Sequence, residues 1–86
     1  MLFIALLLPK GKGEDAIKYL NRIKPPKNIT IRDIYFTFGQ YDGIIIFEAP
    51  SEATAMRFVM KTGLATHYTV QTLIAVPPKE ITAISE

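Results

Sequence analysis

The chain has 86 residues, one histidine, no cysteine, 49% hydrophobic and 21% charged residues, and a formal net charge of +2. That length bounds a single domain over 1–86, with a core over 2–76 and a tail over 77–86, and the balance is that of a folded globular protein rather than a disordered one. The missing cysteine excludes disulfide staples, thiolate catalysis and cysteine metal sites. The basic residues are scattered. A mild excess between Lys10 and Lys27 offers a weak anion-attracting surface, and the plainer reading is a solvated helix face with loop lysines.

The apolar run from Met1 to Leu8 lacks a basic leader and is cut off by Pro9-Lys10. It is too short to span a membrane and reads as a buried strand over Leu2–Leu8, apolar on both sides of the pleat. With no export signal, a cytoplasmic location and no membrane partner are expected. After a Pro9–Gly13 loop, Ala16, Ile17, Leu20 and Ile23 recur at helical spacing over Glu14–Lys24. Glu14 and Asp15 occupy the first turn, where the helix dipole favours acid, and Pro25-Pro26 stops the helix.

A second strand is expected over Ile29–Phe38. Its apolar phase slips from odd positions (Ile29, Ile31) to even ones (Ile34, Phe36, Phe38), which predicts a bulge near Arg32-Asp33. The turn-forming stretch Phe38–Gly43 joins it to a third strand over Tyr41–Ala49, as a β-hairpin requires. Ser51 is the expected N-cap of a second helix with a buried stripe of Ala55, Met56, Val59 and Met60, and Gly63 is its expected C′ residue. A fourth strand covers Thr66–Val76 and stops at Pro77-Pro78. The tail from Lys79 to Glu86 is expected to form at most one short turn.

The order βαββαβ is the ferredoxin-like α+β pattern: a four-stranded antiparallel sheet in the order 4-1-3-2 with two helices on one face. The other face is left bare. Strand one has Leu2, Ile4, Leu6 and Leu8 on one side and Phe3, Ala5 and Leu7 on the other, and strand three has Ile44 and Ile46 on one side and Ile45 and Phe47 on the other, so neither strand offers a polar face and the bare side is oily. Leaving such side chains wet forgoes about 1.5–3 kcal/mol each. A homodimer, or a higher homo-oligomer, with sheets packed face to face is therefore expected.

Strand direction gathers Phe38, Tyr41, Asp42 and His67 at one end of the sheet, with Asp42 and His67 two strand spacings apart, roughly 9.5 Å between backbones. His67 is the only side chain of a type that normally titrates near neutral pH, and it would act as acid or base only with a partner such as Asp42 or Tyr68. It reads more simply as a surface histidine where the strand leaves its turn. An Asp beside a glycine turn commonly bonds the local backbone. Tyr35, Tyr41 and Tyr68 are candidate pocket-lining residues, or core rings with tied-off hydroxyls. Glu48, near the opposite end, either contacts a ligand or reaches water or a lysine at the strand's end. The ligand-binding candidates are thus Tyr35, Tyr41, Asp42, Glu48, His67 and Tyr68, and the weak catalytic candidates His67 and Asp42. With one histidine and no cysteine, no metal site and no cofactor are expected. The glycines follow no phosphate-loop spacing, Met56 and Met60 are expected in the core, and no RNP1 pattern is present, so no nucleic-acid partner is expected.

Gly39-Gln40-Tyr41-Asp42, then apolar Gly43 to Phe47 and Glu48-Ala49-Pro50, resembles the GYD domain family, whose signature is G-x-Y-D at this hairpin with E-A-P leading into the second helix. Tyr35–Phe38 and the alanine-containing helix also fit, and the likeness runs from Leu2 to about Val76. One departure is the short first helix cut by Pro25-Pro26. The resemblance implies the dimeric α+β barrel arrangement, no established activity and no catalytic residue to carry over. Three functions follow as expectations: a non-enzymatic domain that dimerises and binds a small molecule; a regulatory interaction module; and a dimeric-barrel enzyme of the cofactor-free oxygenase or isomerase type using His67 and Asp42.

Overall fold

A computed structural model of the chain describes residues 1–9, 18, 20–65 and 68–85. The elements are β1 (Leu2–Pro9), β2 (Thr30–Phe36), β3 (Gly43–Glu48), α1 (Glu52–Ala65), β4 (Tyr68–Ala75) and α2 (Pro78–Ser85). Ahead of β2, residues 18 and 20–22 are helical; Glu14 to Ile17, where that helix is expected to start, lie outside the described residues. The fold is α+β. All strand pairs are antiparallel, in the order β2-β3-β1-β4, which is 4-1-3-2 when read from the β4 edge. No helix among the described residues is long and apolar enough to cross a membrane.

The pleat sorts the two central strands cleanly. Phe3, Ala5 and Leu7 of β1 face the same side as Ile45 and Phe47 of β3, and all five are buried. Leu20 and, from α1, Ala55, Phe58 and Val59 complete that core, and Ile23 packs against it. Phe47 is its centre: its ring stacks on Phe3 at 5.4 Å and meets Phe58 edge-on at 5.0 Å. The bulge lies where the phase slip places it, with Arg32 left out of the ladder between Ile31 and Asp33. Ser51 caps α1, its Oγ accepting the Thr54 amide at 3.2 Å.

Several boundaries and faces differ from expectation. The β2–β3 connection is wider than a tight hairpin, covering residues 37–42, so both strands are shorter than Ile29–Phe38 and Tyr41–Ala49. The Thr37 amide donates to the Asp42 carbonyl, the Thr37 hydroxyl donates to the Tyr41 carbonyl, and Gly39 takes φ +122°, a conformation L side chains rarely adopt. Met56 and Met60 are exposed rather than core. The buried stripe of α1 is instead Ala55, Phe58, Val59 and Thr62, because rotating the helix inward delivers the larger Phe58 ring to Phe47. The buried Thr62 hydroxyl is satisfied by donating to the Phe58 carbonyl. Gly63 is not a C′ residue, since α1 continues to Ala65. The tail forms the eight-residue helix α2 instead of a short turn.

Gly43 has a packing role that the hairpin reading missed. A Cβ there would lie 3.0 Å from Leu20 Cδ1 and 3.1 Å from Leu7 Cδ1, so the absence of a side chain lets the first helical segment close on the sheet.

Phe47→Ala is expected to cost about 3–5 kcal/mol, read from urea denaturation, whereas Phe38→Ala, at a fully exposed loop ring, should change stability by less than about 0.5 kcal/mol. Among the described residues the buried Thr72 hydroxyl finds no partner. Thr72→Val should therefore raise stability by roughly 1 kcal/mol in the same assay.

Candidate functional site

The open face of the sheet is formed by Leu2, Ile4, Leu6 and Leu8 of β1, Ile44, Ile46 and Glu48 of β3, Thr69, Gln71, Leu73 and Ala75 of β4, and Asp33 and Tyr35 of β2. Its centre is aliphatic and its two ends are polar.

At the first end the 37–42 loop crosses the end of β1, where the Asp42 amide donates to the Leu7 carbonyl at 2.8 Å. From there two neighbouring side chains reach β4. The Tyr41 hydroxyl donates to Gln71 Oε1 at 3.1 Å, on the open face. The Tyr68 hydroxyl, from a buried ring on the covered face, donates to Asp42 Oδ2 at 2.9 Å. The sheet end is thus clamped on both sides of the pleat. Of the expected cluster of Phe38, Tyr41, Asp42 and His67, Tyr41 and Asp42 lie together in this loop, and Asp42 bonds Tyr68 rather than the local backbone through its carboxylate. Phe38 is part of the loop but projects into solvent. His67 lies outside the described residues. Gln71 went unremarked in the sequence, where an isolated glutamine in an alternating strand gives no signal.

At the second end Glu48 pairs with Arg32, the bulged residue of β2, through Oε2 and Nε. Dropping out of the ladder is what aims Arg32 at Glu48 instead of along the strand alternation. The pair borders an open depression of about 660 Å³ with Leu2, Ile46 and Ala75 among its apolar walls and Asp33 and Glu80 on its rim. Glu80 comes from α2, so the tail helix builds part of this wall. Tyr35 stands between the two ends, opposite Ile44 and half exposed. Among the described residues no group of three or more His, Cys, Asp or Glu could hold a metal ion.

A family model described as the GYD domain matches residues 8–84, nearly the whole chain. The chain belongs to the GYD domain family. No curated protein and no solved structure matches it. Each signature residue of this GYD domain has a distinct physical role. Gly39 supplies the positive φ, Tyr41 anchors to Gln71, and Asp42 receives the Tyr68 hydroxyl. A carboxylate engaged by a phenol is a positioned acceptor.

Asp42→Ala and Tyr68→Phe should each destabilise the GYD domain by about 1–2 kcal/mol. A double-mutant cycle in urea should return a coupling of about 1 kcal/mol; strictly additive effects would show that the bond contributes nothing.

Proposed function

We propose that this GYD domain is a non-enzymatic binding module of ferredoxin-like topology. Two copies pack their open sheet faces together as a dimeric α+β barrel, and a small molecule binds between them. The observation that carries the reading is the oily centre of the open face. Leu2, Ile4, Leu6, Leu8, Ile44 and Ile46 remain only half buried, and Leu73 is exposed. The molecule measures 47 × 30 × 17 Å, which is thin enough for a sheet and one helical layer but not for a third layer over the face. A second sheet stacked about 10 Å away would cover it.

The depression beside Arg32 and Glu48 opens onto the same face, and a partner sheet would close it. Its volume of about 660 Å³ suits a small metabolite. Apolar walls with the Arg32–Glu48 pair and the further carboxylates of Asp33 and Glu80 favour a ligand that is largely apolar and carries a polar group for these side chains to meet. On this reading the ligand sits at the Glu48 end rather than around Tyr41, Asp42 and His67. The Tyr68–Asp42 bond supports a structural use of that carboxylate over a catalytic one. The proposal keeps the cytoplasmic setting expected from the sequence.

Light scattering at micromolar concentration should give twice the chain mass, and Ile46→Glu, which sets a charge at the centre of the face, should give the monomer mass. A monomer for the unaltered chain would remove the basis for the barrel. In a thermal-shift screen of metabolites, a stabilising compound should lose its effect on Glu48→Gln, while Tyr41→Phe should keep it.

A further inference from the structure

The side of the molecule opposite the open face carries a second depression, of about 350 Å³, between the turn entering β2 and the outer flank of α1. The turn contributes Lys27 and Asn28; α1 contributes Thr54, Arg57 and Lys61; the buried Ile29 and Phe58 form apolar walls. Positions 54, 57, 58 and 61 recur at i, i+3, i+4 and i+7, so a single stripe of α1 is presented to the groove.

The charge arrangement is one-sided. Arg57 and Lys61 stand four residues apart on one helix face, a like-charge spacing that destabilises a helix, and Lys27 adds a third cation from across the groove. No carboxylate lines the depression, and none of the three cations makes an ion pair among the described residues. The positions one turn to either side of Arg57 and Lys61 hold no Asp or Glu, and Glu52 lines a different hollow with Phe3 and Met56. Three cations gathered without an internal counter-charge, with the neutral polar Asn28 and Thr54 beside them, are complementary to a doubly charged oxyanion. Arg57 offers the planar fork that matches phosphate oxygens, and the lysines offer point charges. The apolar walls call for a body attached to that anion.

From this we infer that the groove between α1 and the Lys27-Asn28 turn is a binding site for a small organic phosphate, a phosphate monoester with a compact apolar body. It lies on the helical layer, so it stands or falls independently of any pairing through the open face.

Phenyl phosphate is a suitable probe for the full chain, followed by calorimetry and by backbone amide NMR at low salt, where exposed charges are least screened. Saturable binding of one molecule per chain is expected, with amide shifts concentrated at residues 27–28 and 54–61. Phenol should produce none, and inorganic phosphate should bind roughly tenfold more weakly. The double variant Arg57→Gln, Lys61→Gln should lose at least about tenfold in affinity yet melt no lower than the parent, because the like-charge pair is relieved. Absence of saturable shifts at millimolar phenyl phosphate would overturn the assignment. So would equal affinity in the double variant, shifts centred on another surface, or association with anionic lipid vesicles or duplex nucleic acid in place of the small phosphate.

Discussion

The structure rests on the pairing of β1 with β3. These strands are central, and both carry large apolar side chains on each side of the pleat, so the pairing register decides two surfaces at once. With Phe3 opposite Phe47 and Ala5 opposite Ile45, one set builds the core under α1. The other set, Leu2, Ile4, Leu6, Ile44 and Ile46, is then committed to the opposite face. A slip of one residue would exchange these sets but could not make either face polar. The oily character of the open face is therefore a property of the two strands themselves and not of any loop or helix around them.

Much of this was legible because it depends on period-two alternation and on residues with narrow conformational habits. The phase change between Ile31 and Ile34 located the bulge, Ser51 marked the cap, and Pro25-Pro26 stopped the first helical segment before Ile29. Helix rotation was less legible. Ala55, Met56, Val59 and Met60 form an acceptable stripe by hydrophobicity alone, and so do Ala55, Phe58, Val59 and Thr62. The choice between them is made by ring packing against Phe47 and by a hydroxyl that bonds its own backbone, neither of which shows in local pattern. Gly43 looked like a turn residue because it follows Asp42, while its reason lies in Leu7 and Leu20, distant in sequence.

The candidate site divides along similar lines. Strand direction was enough to bring Tyr41 and Asp42 to one end and to send Glu48 to the other. What it could not supply was the partner of each group. Gln71 for Tyr41 and Arg32 for Glu48 depend on how a loop crosses β1 and how a bulge redirects one side chain. The GYD signature is best understood through those partners: a loop that fastens the first hairpin of the sheet to its far strand from both sides of the pleat. The cation-lined groove was hidden for a related reason. Lys27 and the two cations of α1 are far apart in the chain, and scattered basic residues look alike until the fold gathers some of them.

The displaced Arg32 has one more effect. β2 is an outer strand, and an outer strand normally presents an unbroken row of amide and carbonyl groups onto which further chains can add without limit. The irregularity between Ile31 and Asp33 breaks that row midway, and Arg32 and Asp33 set charged groups there. Growth of the sheet through its β2 rim by fibre-like extension is thereby discouraged.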